Sequence, residues 1–283
     1  MSRTPSVRVR DIGMTICGDP FLLSGTGLIF RVFLRDFPAP NPTFPPERQN
    51  TAMARLRRFV RARIPVHATA RGVDGCRLFR CASDKRKYLK RFALVAAEEQ
   101  VEIHGYCILD NHVHFLLVPL TDKALARLFL RVHTWWAMYF NAKYDRTGHL
   151  FQGRFHSCVL DAAHYWAAFR YIETNPRKHN LSTNLAAWEF SSATAHLTGQ
   201  SDEFFPLMMA AWRRRFTTKT YLGFLEESAA ERAARIENFL KSGLPCGSDR
   251  WVKALERRAK RRLHPLPPGR PPQPKPQPRT FTA

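Results

Sequence analysis

Apolar and polar residues alternate along the middle of the chain in short segments that predict β-strands. Residues 64–71 form the first of these segments, and residues 101–109 and 112–118 form the next two. The pair 110–111, Asp-Asn, favours a tight turn, so the second and third segments are expected to pair as a hairpin. Residues 146–160 predict a basic loop followed by a short fourth strand.

Three segments between and after these strands have apolar residues at helical spacing. The first contains Tyr88 and Phe92, the second runs from Leu125 to Tyr139, and the third covers residues 162–174. The order strand–helix–strand–strand–helix–strand is typical of a ferredoxin-like α+β fold. We therefore predict an antiparallel sheet with helices on one face, followed by a mostly helical, basic C-terminal extension.

The composition changes at both ends of this pattern and predicts four segments. Residues 1–52 are proline-rich in their second half, and we expect an extension that is disordered or lies upstream of a natural start at Met53. Residues 53–192 are the expected catalytic domain, and residues 193–263 the helical basic region. Residues 264–283 are rich in proline and predict a disordered tail.

The charge of the chain indicates a polyanionic partner. Lysine and arginine number 45 against 23 aspartates and glutamates, which gives a formal net charge of +22. Such a positive field favours nucleic acid. No stretch is long and apolar enough to predict a membrane span, so a membrane partner is not expected. Scattered reduced thiols are typical of a cytoplasmic protein, and we expect that location. The six cysteines form no Cys-x-x-Cys pair, which argues against a zinc module.

His112 and His114 are the first candidates for chemistry. Residues i and i+2 of a strand point to the same face, so these two imidazoles are expected side by side. They can supply two ligands of a metal site. The alternative is a pair of histidines satisfied by hydrogen bonds in or beside the core.

Tyr171 and Asn175 are the second candidates. Residues i and i+4 of a helix share one face. Of the seven tyrosines, only Tyr171 has Asn, Gln or His at i+4. The alternative reading is an aromatic side chain that packs the helix against the sheet.

Three motifs in order give these residues a family context. They are Asn-His-Val-His-Phe-Leu-Leu-Val-Pro from Asn111, Arg-Thr-Gly-His-Leu-Phe-Gln-Gly-Arg-Phe from Arg146, and Tyr-Ile-Glu-Thr-Asn-Pro from Tyr171. Between Met53 and Ser192 the chain resembles the single-tyrosine HUH transposases. The branch that it resembles most is that of the REP-associated tyrosine transposases, which are similar to insertion-sequence transposases.

This resemblance implies a mechanism and a substrate. His112, His114 and Asn175 would bind Mg²⁺ or Mn²⁺, and Tyr171 would be the nucleophile. The tyrosine would attack single-stranded or hairpin DNA, such as a repetitive extragenic palindrome, and form a 5′-phosphotyrosine link. A metal suits this chemistry because it neutralises phosphate oxygens, and because a free phenolate costs about 4 kcal/mol at neutral pH. The resemblance also implies a bacterial enzyme that is associated with the nucleoid. A homodimer is a candidate assembly.

Basic residues in two places are candidates for DNA contacts. Lys143, Arg146 and Arg154 flank the predicted loop, where His149, Phe151 and Phe155 could stack on unpaired bases. A final helix, which Ser248 could cap, concentrates positive charge for phosphate binding. Its candidate residues are Arg257, Arg258 and Arg261. The alternative at each position is an ordinary solvated side chain.

Two other functions compete with a strand transferase. A replication or conjugation initiator would use the same chemistry, but it usually has a helicase domain or further motifs. A non-catalytic nucleic-acid-binding protein on a ferredoxin-like fold explains the charge and the sheet. It does not explain why His112, His114, Tyr171 and Asn175 occur together.

Overall fold

The computed structural model describes residues 58–227 and 230–264, with the side chains of residues 230–233 left out. The predicted extension at residues 1–52, and the predicted tail beyond its first residue, lie outside this part. The strands are β1 (Val66–Arg71), β2 (Val101–Ile108), β3 (His112–Pro119) and β4 (His156–Val159). The helices are α1 (Ala82–Glu98), α2 (Ala124–Lys143), α3 (Ala162–Glu173), α4 (Asn175–Lys178), α5 (Ala193–Thr198), α6 (Ala210–Arg215), α7 (Thr218–Glu226), α8 (Ala230–Ser242) and α9 (Asp249–Ala259).

The four strands form one antiparallel sheet in the order β2-β3-β1-β4. β2 and β3 are the predicted hairpin, and α1 and α2 make the two crossovers that place β1 in the centre. This order confirms the ferredoxin-like α+β fold expected from the spacing of apolar residues. It also places β1 in contact with both β3 and β4, so its side chains have neighbours on both sides.

The predicted placement of the helices on one face of the sheet is wrong, because both faces are apolar and each is covered by different helices. Ala68 of β1 and Phe115 of β3 belong to the core under α1 and α2, where Phe92 stacks on Phe115 at 3.9 Å between ring centroids. The opposite face, with Leu116 and Cys158, packs against α3, α7 and α8. β3 is therefore buried on both faces, which is why its sequence is a nearly continuous apolar run. The histidines in that run lie on the α3 face.

A glycine allows α3 to approach the sheet closely. β2 has an irregularity between Ile103 and Gly105. A Cβ atom at Gly105 would lie 3.3 Å from the ring of Phe169 on α3 and 3.3 Å from the hydroxyl of Ser192. A larger residue here would push α3, and the side chains it carries, away from the sheet.

The C-terminal region is helical, and it packs onto the sheet. α8 contacts α3, β4 and β1. Ser248 caps α9 as the sequence predicts, since its hydroxyl accepts a hydrogen bond from the N–H of Trp251. α9 ends at Ala259, and Lys260 takes a left-handed conformation, so Arg261 lies beyond the helix. Along the residues that the structure describes, no helix combines the length and the apolar character needed to cross a bilayer.

A buried carboxylate joins α3 to the C-terminal helices. Glu173 is fully buried, and its two oxygens accept hydrogen bonds from Tyr221 on α7 at 2.6 Å, from His196 on α5 at 2.8 Å, and from Ser192. A buried charge is tolerated only when such donors surround it. The network therefore holds α3 at a defined position against α5 and α7.

Replacing Tyr221 with phenylalanine is expected to lower the free energy of unfolding by about 2 kcal/mol, because it removes a donor from a buried charged acceptor. Urea denaturation measures this change. Tyr139→Phe is the matched control: its ring stacks near Trp135, and it is expected to change the free energy by less than about 0.5 kcal/mol. Equal effects of the two substitutions would contradict this role for Glu173.

Candidate active site

The two histidines of β3 lie side by side, as their spacing predicts. Their ring centroids are 5.1 Å apart, and the rings are nearly perpendicular. In the sheet register His112 pairs with Arg71 of β1, and His114 pairs with Thr69. Both imidazoles lie on the face that α3 covers.

Tyr171 and Asn175 approach the histidines from α3. Thr174, which separates α3 from α4, keeps a backbone in the helical region (φ −88°, ψ 0°). Residues 171 and 175 therefore share one face although α3 ends between them, and the Asn175 amide donates to the carbonyl of Tyr171 at 2.7 Å. The ring of Tyr171 lies 5.5 Å from that of His114, centroid to centroid. The structure thus brings together the four residues that the sequence selected.

Asn175 offers an oxygen ligand. Its side chain is fully buried, and within the part of the chain that the structure describes its Oδ1 atom has no hydrogen-bond partner. The same side chain is a hydrogen-bonding neighbour of His112 and raises the pKa of that imidazole, against the larger lowering by burial, so the Asn175 amide faces His112. A buried amide oxygen that makes no well-formed hydrogen bond and lies beside two imidazoles completes a donor set that fits a divalent metal.

Burial keeps both imidazoles neutral. It lowers the pKa of His112 to about 4, and it lowers the pKa of His114 well below the ordinary value. The Nδ1 atom of His112 lies 2.7 Å from the Oδ1 atom of Asn111. Because an amide oxygen can only accept, Nδ1 carries the proton, and the lone pair is on Nε2.

A metal site at this place depends on Asn175. Among residues 58–227 and 230–264, no cluster of three or more His, Cys, Asp or Glu side chains could hold a metal.

The hydroxyl of Tyr171 is bonded to a residue of the C-terminal region. It donates to Glu237 of α8 at 2.9 Å, and Lys178 donates to the same carboxylate oxygen. Burial, and then the negative charge of Glu237, raise the pKa of Tyr171 above its usual range. The side chain is therefore a phenol at neutral pH.

Three residues near the site are not among those predicted from the sequence. His67 of β1 lies 3.0 Å from His114, measured between ring nitrogens. His179 packs edge-on against His112 at 5.0 Å between centroids, and its position four residues after Asn175 is a helical-spacing signal. Glu237 is 66 residues from Tyr171, and no local spacing could indicate their contact.

The predicted basic loop lies at the histidine end of the sheet. The N–H of Gln152 donates to the carbonyl of Arg71 at 2.9 Å, and Arg71 is the register partner of His112. Arg154 is exposed in this loop, whereas Arg146 is half-buried, with its guanidinium 5.8 Å from the ring centroid of Phe140. Lys143 is instead bonded to the buried carboxylate of Asp84 at 2.6 Å, and this bond raises its pKa above the usual range.

The predicted stacking of bases is wrong for Phe155, and it stays a prediction for Phe151, whose ring is half-buried. Phe155 is buried and stacks on Phe129 of α2 at 4.1 Å between centroids. Phe151 stacks on His133 of the same helix at 4.0 Å. The rings anchor the loop to α2 because the loop crosses its apolar face, and His149 alone of the three aromatic candidates is exposed.

The basic residues of α9 lie in a separate place. Arg257 and Arg258 are exposed in its last turn, and Arg261 follows the helix. The start of α9 is fastened to the start of α3, since Asp161 accepts hydrogen bonds from the N–H groups of His164 at 2.9 Å and of Ser248 at 2.8 Å. Because Asp161 is the N-cap of α3, this attachment lies at the end of the helix opposite to Tyr171 and Asn175.

Comparisons with known proteins give a family match and several structural likenesses, of which two are described. A REP-associated tyrosine transposase bound to a REP hairpin is 17% identical with a TM-score of 0.45, over 54% of this chain and 89% of that one. A bacterial tRNA(His) guanylyltransferase-like protein in complex with GTP is 14% identical with a TM-score of 0.31, over 47% and 75% of the two chains. The search of curated proteins gives no match. Residues 77–175 match the family described as "Transposase IS200 like". That segment contains both histidines, Tyr171 and Asn175, so this part of the chain is similar to IS200-like transposases, which confirms the resemblance that its motifs predict.

Proposed function

We propose that this chain is a metal-dependent DNA strand transferase that cleaves and rejoins single-stranded or hairpin DNA through Tyr171. The observation that carries the proposal is the meeting of Tyr171 and Asn175 with His112 and His114 on one face of the sheet. An aromatic packing role explains the ring of Tyr171. It does not explain why the buried Asn175 amide lies beside two neutral imidazoles.

The residues that would hold the metal are His112, His114 and Asn175. Two neutral nitrogen ligands and one amide oxygen suit Mn²⁺ or Mg²⁺, with water or phosphate oxygens at the remaining positions. When bound, the ion would neutralise phosphate oxygens and polarise the phosphorus towards attack.

Tyr171 supplies the covalent step. Its Oη atom forms a bond to phosphorus while the bond from phosphorus to the 3′-oxygen breaks, which leaves a 5′-phosphotyrosine and a free 3′-hydroxyl. Glu237 accepts the hydrogen bond of this hydroxyl at 2.9 Å and is placed to receive the phenolic proton. Attack by a 3′-hydroxyl on the phosphotyrosine reverses the step and rejoins the strands without ATP.

Cationic side chains around the site favour a phosphate. Arg71 and Lys178 both lie close enough to lower the pKa of His112. Their positive charges attract the negatively charged phosphodiester and reduce its repulsion by the carboxylate of Glu237. The two arginines of the adjacent loop, the half-buried Arg146 and the exposed Arg154, extend this positive surface and would hold the strand by its backbone.

Adduct formation tests the proposal directly. The full chain is incubated with Mn²⁺ and a pool of DNA hairpins that carry randomised single-stranded flanks, and SDS-resistant complexes are separated on a gel. With a 3′-end label the signal should remain on the protein, and with a 5′-end label it should leave as a fragment ending in a 3′-hydroxyl. Fully paired duplexes and EDTA are the negative controls.

The outcomes separate the competing functions. Absence of any adduct, together with retention of hairpins in a native gel, would favour the non-catalytic binding protein. Retention of the 5′-label instead of the 3′-label would overturn the polarity of the reaction. A nucleoid location and a homodimer stay predictions from the sequence.

A further inference from the structure

His67 lies behind the histidine pair, on the side of β1. In the register its neighbours are Leu116 of β3 and Cys158 of β4, and its side chain is fully buried on the α3 face. Its Nε2 atom is 3.0 Å from the Nδ1 atom of His114, and its ring centroid is 5.6 Å from that of Tyr171. His67 therefore touches one proposed ligand and the proposed nucleophile.

The hydrogen bond between the two imidazoles has two tautomeric forms. If His114 donates from Nδ1, the lone pair of His114 is on Nε2 and can bind a metal. If His67 donates from Nε2, His114 carries its proton on Nε2 and cannot be a ligand through that atom. Among the described residues the other ring nitrogen of His67, Nδ1, has no partner that would select either form.

The geometry around His112 shows the same arrangement. Its Nδ1 atom faces the Asn111 oxygen at 2.7 Å, just as the Nδ1 atom of His114 faces His67. Both proposed ligands thus have a hydrogen-bonding partner at Nδ1. Metal-binding histidines commonly donate their second ring N–H to an acceptor, which fixes the tautomer and the ring orientation.

We propose that His67 is a positioning residue for the metal site: it accepts the Nδ1–H of His114 and so keeps the Nε2 lone pair of His114 available to a divalent ion. This inference rests on one part of the proposed function, the binding of a metal by His112, His114 and Asn175, and not on DNA cleavage. Loss of such a hydrogen-bond partner lowers metal affinity about 10- to 100-fold in comparable sites.

The test measures Mn²⁺ binding by the full chain without DNA, from the electron paramagnetic resonance signal of free Mn²⁺. His67→Phe keeps an aromatic ring but removes the acceptor, and we expect it to weaken binding about 10- to 100-fold. His67→Gln restores an acceptor oxygen and should bind within about threefold of the natural protein. His133→Phe is the matched control, because His133 is bonded to Tyr88 on the opposite face of the sheet and should leave the affinity unchanged.

A second measurement uses the unsubstituted protein and does not depend on the folding of a variant. Nitrogen-15 NMR of the imidazoles with Mg²⁺ present should show His114 protonated at Nδ1 and not at Nε2. Protonation at Nε2, or unchanged Mn²⁺ affinity in His67→Phe, would overturn the inference about His67. If the unsubstituted chain itself binds no Mn²⁺, the metal site of the proposed function fails and the inference fails with it.

Discussion

Replacing Tyr171 with phenylalanine is expected to abolish the covalent protein–DNA adduct, with cleavage falling by at least about a thousandfold. The substitution removes only the Oη atom that would bond to phosphorus, and loss of the nucleophile removes the entire covalent path. The measurement is single-turnover cleavage of a 3′-labelled hairpin selected from the randomised pool. DNA binding in a native gel should stay within about threefold, because the ring remains in place.

Tyr165→Phe is the matched control for this result. Tyr165 lies on α3 and is also buried, but its hydroxyl bonds to His104 at 2.8 Å and not to Glu237. This variant should form the adduct at a rate close to that of the unsubstituted chain. An adduct in Tyr171→Phe would assign the nucleophile to another residue, and equal loss in both variants would point to damage to α3.

Replacing His112 with alanine is expected to slow cleavage at least about a hundredfold and to weaken its dependence on Mn²⁺. A metal supplies several kcal/mol of stabilisation to the transition state, and each 1.4 kcal/mol is a factor of ten in rate. The Nε2 lone pair of His112 is a proposed metal ligand, and alanine has no atom that can replace it. The experiment records single-turnover rates over a series of Mn²⁺ concentrations.

His149→Ala controls for the loss of a histidine as such, since His149 is exposed in the basic loop. It should keep the Mn²⁺ dependence of the unsubstituted protein. The metal assignment would be contradicted if His112→Ala had the same rate and the same Mn²⁺ dependence as His149→Ala. A urea unfolding curve shows whether a slower rate comes from lost stability.

Local periodicity was enough to predict the fold and the central group of the site. The alternation in β3 places His112 and His114 on one face, and the helical spacing places Asn175 beside Tyr171. These relations depend on backbone geometry within a few residues. They hold even across Thr174, because its backbone stays in the helical region.

The remaining residues depend on tertiary contacts that no local pattern contains. His67 reaches His114 only through the register of β1 against β3, and Glu237 reaches Tyr171 only because α8 packs on α3. The error at Phe155 has the same origin. Aromatic residues between arginines indicate base stacking when the loop is solvated, but here α2 offers an apolar surface that buries the ring.

The network of Glu173 decides how far the catalytic unit can be shortened. The segment that matches the family ends at residue 175, yet the donors to Glu173 lie beyond it, on Ser192, His196 and Tyr221. A protein cut after α4 would lose these partners together with the α7 and α8 side chains that cover α3, such as Tyr221 and Ile236, and would leave the apolar face of α3 exposed to water. We therefore do not expect the family segment to fold by itself. Placed in another protein, it would need a replacement for α5 and α7 before it could present Tyr171 to DNA.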